Sequence, residues 1–196
     1  MTGTACEAGI FLRPCQGEIV SGDTAVCLPC AGGWFLAVAD VLGHGPQAHA
    51  VAERIAADLT EHAGADLVGL MGRLHDRLRG SLGAAVGLAL LDAGRGRVRY
   101  VGVGNTRFRR LGSADTRLVS RDGTVGAHMP SPREVHLQLA PGDLVLMTSD
   151  GVRESFVPEE YPGLLGDSPP VVARLVVQRF GKDYDDATCL AVRYRP

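Results

Sequence analysis

The stretch WFLAVADVLGHGP, residues 34–46, decides how the chain is read. Trp34 to Ala39 is an apolar run of the length of one buried strand. It ends on Asp40, and two glycines bracket His44 before Pro46. Proline suits the first positions of a helix, where the amide it lacks would have no intrahelical partner. Val51, Ile55 and Leu59 then repeat on one face, as a helix requires. A strand that breaks on a carboxylate and turns through glycine into a helix leaves three readings of Asp40: a helix cap, one wall of a phosphate cradle, or a ligand for a metal ion.

Working outward, strands are predicted near 6–13, 24–30, 34–40, 84–92, 97–103, 106–111, 135–139, 143–149 and 187–194. Hairpin turns at Ala31-Gly32-Gly33, Asp92–Gly96 and Pro141-Gly142-Asp143 join several of them, so the pairing is largely antiparallel. Leu67, Leu70, Met71, Leu74 and Leu78 form a second helical stripe. Ser168 reads as the cap of a third helix lined by Val172, Leu175 and Val176. The class is α+β, helices packed on sheets, in a single domain over 1–196. Residues 112–134 are rich in Gly, Ser and Pro and read as an irregular surface excursion near the site.

At 196 residues the chain has the size of one ordinary domain. A net charge of −2 offers no broad attraction for nucleic acid or an anionic membrane. No apolar run is long enough to span a bilayer, and the opening MTGTACEAGIF lacks a basic segment followed by a long apolar stretch. A cytoplasmic protein is expected, and the odd set Cys6, Cys15, Cys27, Cys30 and Cys189 fits reduced thiols. Cys27 and Cys30 have redox spacing, but a hairpin turn follows them rather than the helix start that lowers a thiol pKa. No second pair completes a zinc site, so both are read as structural.

Acidic residues recur where apolar strands begin or end. Asp23 opens one strand, Asp40 closes the next, Asp150 ends the run LVLMTSD, and Asp185-Asp186 lead into ATCLAV. Each alone is an ordinary turn or cap. Together, strand-end carboxylates converge at a sheet edge, where their repulsion must be offset by positive charge. The chain's only lysine is Lys182. Carboxylates without histidine at ligand spacing suit hard ions, Mg²⁺ or Mn²⁺, better than zinc. Two such ions about 3.5–4 Å apart can lower the pKa of a water and direct it at phosphorus. Gly43 and Gly45 permit the turn that frees the carbonyl after Asp40, and the helix start beyond offers amides to an anion. His44 reads either as a donor or acid beside the site or as a turn residue bonded to backbone. Residues 101–105 (VGVGN) carry part of a dinucleotide pattern, but the third glycine is missing and a strand follows, so no nucleotide site is expected. Arg107, Arg109 and Arg110 are expected to form a solvated strand face.

In order, GDTAV (22–26), VADVLGHGPQA (38–48), VGNTRF (103–108), PGDLVLMTSDGVRE (141–154) and DDATCLAV (185–192) resemble the SpoIIE-like, bacterial branch of the PPM-type metal-dependent serine/threonine protein phosphatases. The resemblance runs from about Gly22 to Tyr194, and the compact length is most similar to the RsbX type, with the RsbU and SpoIIE types next. It implies an αββα sandwich of two antiparallel sheets flanked by helices. It also implies two Mn²⁺ or Mg²⁺ ions at one edge, and hydrolysis of phosphoserine or phosphothreonine without a phosphoenzyme. By motif position, Asp40 would bridge the ions, the Val41 carbonyl would bind one, and Asp150 and Asp185 would complete the other's shell. Asp23 would bind directly or through water, and Asp186 shares the candidacy of its neighbour Asp185. Asp40, Asp150 and Asp185 are then the catalytic residues, acting through metal-activated water, and Gly43, His44 and Gly45 are candidates for holding the substrate phosphate. The implied partner is a phosphorylated STAS-type stressosome protein, or an anti-anti-sigma factor as for the RsbU and SpoIIE types. A phosphatase fold that only binds its partner is the alternative from another class. Two departures stand out. Gly22 occupies a place where many eukaryotic members carry glutamate, which implies that one ion is held weakly, or only with substrate or a partner bound. No basic residue just upstream of Asp23 matches their phosphate grip, and Arg13 is the substitute considered.

Overall fold

The computed structural model describes residues 7–158, 161 and 163–195, and Cys6 lies outside them. One sheet runs in the spatial order β2 (Asp23–Cys30), β3 (Gly33–Val41), β4 (Ala84–Asp92), β5 (Arg97–Val103), β8 (Val135–Gln138). The other runs β1 (Glu7–Arg13), β10 (Ala187–Arg193), β9 (Leu144–Thr148), β6 (Arg107–Leu111), β7 (Thr116–Leu118). Neighbouring strands are antiparallel throughout. The helices are α1 (Gly45–His62), α2 (Leu67–Arg77) and α3 (Pro169–Phe180).

The period of β3 sets the layers. Phe35, Ala37, Ala39 and Val41 face the α1–α2 side and pack with Ile55, Leu59, Met71 and Leu74. Leu36 and Val38 face the other way and meet Phe108, Met147, Leu190 and Val192 of the second sheet. Val172, Val176 and Phe180 of α3 pack on the outer face of that second sheet. The result is the αββα sandwich that the resemblance implies. It explains why β3 shows no alternation in sequence: both of its faces are buried. Asp40 lies on the face of Leu36 and Val38, between the sheets and at the strand's end.

The expected elements form within a residue or two of their predicted limits, with local differences. Ser168 stands at the N-cap of α3 but makes no side-chain cap bond, because Pro169 and Pro170 remove the first amides it could reach. The 112–134 excursion contains β7, and Arg121 bridges to Val103. The three arginines of β6 do not form a solvated face. Arg109 is buried and grips Asp115 through two bonds of 2.6 and 2.8 Å, while Arg110 reaches Asp143 at 3.2 Å. Loops on either side fold back over β6 and supply those acids. Cys27 and Cys30 point to opposite faces of β2, one toward each core.

Asp143 closes the Pro141-Gly142 turn and is buried. Its carboxylate accepts from the Ser113 amide (2.7 Å), the Ala140 amide (2.8 Å), the Ser113 hydroxyl (2.9 Å) and Arg110 (3.2 Å). Burial alone would raise its pKa, but these bonds hold it below the usual carboxylate range. A depressed carboxylate contributes stability above its unfolded pKa and loses it as pH falls through the folded value. Asp143→Ala should therefore cost about 3 kcal/mol in urea unfolding at neutral pH. The gap to wild type should narrow below about pH 4.

Candidate active site

Asp23 and Asp40 are direct cross-strand partners at one end of the β2–β3 hairpin. The pleat turns both toward the space between the sheets, Asp23 on the face of Ala25 and Cys27. At the same end Asp150 follows β9 and Asp185-Asp186 precede β10. Close packing fixes the meeting of the two sheets. A Cβ on Gly151 would overlap the Asp186 carbonyl, and one on Gly22 would lie 2.7 Å from Ala48 Cβ. Gly43 (φ +90°) and Gly45 (φ +77°) take left-handed conformations that turn the chain from β3 into α1. The N-cap of α1 is His44, not Asp40, and its side chain makes no cap bond.

Asp40, Val41, Gly43, His44, Asp150 and Asp185 line one open cleft of about 430 Å³. Asp23 is buried, 3% exposed, and neither of its carboxylate oxygens has a hydrogen-bond partner among the described residues. Asp186 is turned away from its neighbour. Its two oxygens accept from the Cys15 and Gly22 amides, each at 2.7 Å, so it ties the chain before β2 to the start of β10. Gly45 is not part of the cleft wall; it packs against the Glu18 carboxylate. His44 Nδ1 lies 2.9 Å from the same Glu18. Arg13 is committed to Asp183 at 3.0 Å and to the Lys182 carbonyl at 2.5 Å.

Three residues were given no role by sequence reasoning. Asn105 donates from Nδ2 to Asp150 at 2.6 Å and lines the cleft. It lies inside the quoted VGNTRF segment, which was the available signal. Asp122 also lines the cleft, from the irregular excursion, where only its Asp-Gly turn marked it. Glu18, the partner of His44, had no signal at all.

The electrostatics follow from this crowding. Asp40 is pushed up to about 8, first by burial and then by the charges of Asp23, Asp150 and Asp185, while the Asp150 amide opposes the shift. Asp23 is pushed up to about 7, again mainly by burial. The Ser149 and Thr188 hydroxyls lie close enough to oppose this, though neither makes a hydrogen bond of ordinary geometry to it. Asp185 is raised by burial and by Asp150, against a smaller contribution from Lys182. Among the described residues no three His, Cys, Asp or Glu side chains are gathered tightly enough to cage an ion. The carboxylates share a mouth without forming a closed shell. A buried carboxylate with no hydrogen-bond partner among the described residues, backed by further carboxylates, nevertheless suits a hard divalent cation, which would relieve both burial and repulsion. Asp23, Asp40, Asp150, Asp185 and the Val41 carbonyl are the groups placed to hold it.

A thiol nucleophile does not fit. Cys189 and Arg195 have the Cys-x5-Arg spacing of thiol phosphatases, but Cys189 is fully buried within β10 and burial drives its pKa up.

Residues 31–195 match the family model of Stage II sporulation protein E (SpoIIE). The chain belongs to the SpoIIE family. No curated protein matches it at comparable stringency. Among solved structures, it is similar to a chain described under "The bacterial stressosome: a modular system that has been adapted to control secondary messenger signaling". The identity is 30%, the TM-score 0.89, and the match covers 96% of this chain and 100% of that one. RsbX in complex with magnesium matches at 17% identity and TM-score 0.82, over 96% of this chain and 94% of that one. The PP2C phosphatase domain of SpoIIE from Bacillus subtilis matches at 21% and 0.80, over 97% and 63%. The last two likenesses show the fold, and they place this SpoIIE-family chain within the PP2C (PPM) phosphatase architecture.

Carboxylates whose folded pKa is raised bind more protons in the folded than in the unfolded state, so they destabilise the fold as pH rises. Metal-free protein should thus lose stability between about pH 4 and pH 8. Asp40→Asn should stabilise the metal-free protein at pH 8 by about 1 kcal/mol or more and flatten that slope, measured by thermal melts in chelator. In wild type, Mn²⁺ should recover the loss.

Proposed function

We propose that the chain is a Mn²⁺- or Mg²⁺-dependent phosphoserine/phosphothreonine protein phosphatase, forming a single domain over 1–196. Its place would be a bacterial stress or sigma-factor partner-switching pathway in the cytoplasm. The observation that carries the reading is Asp23, buried without a hydrogen-bond partner among the described residues and cross-strand from Asp40, which lines a cleft with Asp150 and Asp185. Such a cluster is costly unless a cation shares it.

When bound, the ions would supply Lewis acidity, lowering the pKa of a water and neutralising phosphoryl oxygens. Asp40 and the Val41 carbonyl would hold them from β3, Asp150 and Asp185 from the opposite sheet, and Asp23 from behind. Asn105 would orient Asp150 through its 2.6 Å bond. Gly43 and His44, which line the cleft, would face the phosphoryl group. Asp186, with both oxygens occupied by amides, would position Asp185 rather than ligate.

The substrate we infer is a phosphorylated STAS-type stressosome protein, RsbX-like. The likeness at 30% identity to a chain described with the bacterial stressosome supports this choice over an anti-anti-sigma factor.

Purified protein should release phosphate from a phosphorylated STAS protein with Mn²⁺ or Mg²⁺. Excess chelator or Asp40→Asn should lower kcat about 100-fold or more. Undiminished turnover under either condition would overturn the metal mechanism. Tight binding of the phosphoprotein with no phosphate release would instead favour a silent binding module.

A further inference from the structure

The two sheets are covered unequally. α1 and α2 lie over β2 to β5, whereas α3 packs chiefly on β1 and β10. The outer face of β6 and β7 is therefore left largely without a helix. Over it lies a groove of about 340 Å³ between those strands and the 153–156 segment. Its floor is fixed: Arg109 is held by Asp115 and stacks 4.5 Å over the Phe156 ring. Its walls are charged. Arg107, Arg117 and Arg153 line it, and Glu154 is the one carboxylate lining it among the described residues. Glu154 stands at the outer limit of ion pairing, 3.9 Å from Arg107 and 3.7 Å from Arg117, and Arg153 makes no ion pair among the described residues. Cationic charge is therefore in excess here, with Leu146 and Phe156 as an apolar base.

The groove is continuous with the acidic cleft: Gly104 and Asn105 line both, and Asn105 is bonded to Asp150. Two adjoining cavities of opposite charge sort a ligand that carries more than one negative group. The cleft, with Asp40, Asp122, Asp150 and Asp185, repels an anion that brings no cation with it, while the arginine groove attracts one.

We propose that this arginine groove docks an acidic segment flanking the phosphorylated residue of the protein substrate. The inference rests on the phosphatase reading above and names the substrate feature that the reading leaves open. Phosphate enters the cleft; glutamate or aspartate a few residues away enters the groove and pairs with Arg117 and Arg153. Arg107, already bonded to the Val152 carbonyl at 2.6 Å, supports the wall between them.

The test uses two synthetic phosphoserine peptides, one with a run of glutamates beside the phosphoserine and one with glutamines there, assayed with Mn²⁺. Each is made with the run on either side. Wild type should prefer the acidic peptide in kcat/KM by about tenfold on one side, an advantage that shrinks with salt. Arg117→Glu/Arg153→Glu should abolish or invert the ratio, and the milder Arg117→Gln/Arg153→Gln should reduce it. A ratio within one preparation is insensitive to partial loss of fold. No preference in wild type, or a preference that survives both double variants, overturns the proposal. If no peptide is hydrolysed, the phosphatase reading is decided by the phosphorylated STAS protein assayed as above. Fluorescence anisotropy of the same labelled peptides then decides the groove separately, with equal binding of acidic and neutral forms as the overturning result.

Discussion

The pairing of β2 with β3 forces two carboxylates together, and much of the surrounding structure answers to that constraint. Antiparallel register sets Asp23 opposite Asp40, and the pleat sends both side chains into the seam between sheets. Like charges opposite one another destabilise a ladder, and burial adds to the cost. Apolar packing behind them holds the strands in place regardless: Phe35, Ala37 and Ala39 under the helices, Leu36 and Val38 against the second sheet. Core burial worth about 1.5–3 kcal/mol per large side chain can carry a strained end. The cleft is thus a place where folding energy sustains an arrangement that favours cation binding.

Asp185 and Asp186 show how neighbouring identical residues part company. Asp186 receives two amide donors and is buried in comfort; the same bonds join the segment before β2 to β10 and so register one sheet against the other. Asp185 lines the cleft with Asp150, and burial and that carboxylate raise its pKa against smaller contributions from Lys182 and the Asp186 amide. Backbone direction at the strand start decides which is which. Asp143 repeats the lesson elsewhere: four donors make a buried carboxylate a structural tie instead of a reactive group.

The layers and nearly all elements were legible because their signals are local. Apolar runs, glycine turns and helical stripes depend on neighbours within a few residues, and the order of motifs gave the sandwich. Asp23, Asp40, Asp150 and Asp185 were legible as a group for a further reason: each sits at a strand end, and strand ends gather at sheet edges. What failed was whatever depends on a long-range partner. Arg109 and Arg110 looked solvated because nothing beside them in sequence reveals that Asp115 and Asp143 fold back over β6. Asn105, Asp122 and Glu18 acquire their roles only from groups that other elements deliver. The choice between Asp185 and Asp186 needed hydrogen-bond donors from Cys15 and Gly22, more than 160 positions away in sequence.

Gly22 connects these themes. The missing glutamate there reads in sequence as one fewer ligand, and the packing supplies a reason. A Cβ at that position would press on Ala48 at 2.7 Å and approach both the Asp186 carboxylate and the Gly43 carbonyl at 3.2 Å. Its amide is also the donor to Asp186. Glycine lets α1, the Gly43 turn and the Asp186 tie meet at one point, and no larger residue fits without displacing one of them. The absent carboxylate and the close junction of strand, helix and tie are therefore one feature: the packing that brings Asp23 to the site leaves no room for a carboxylate at position 22.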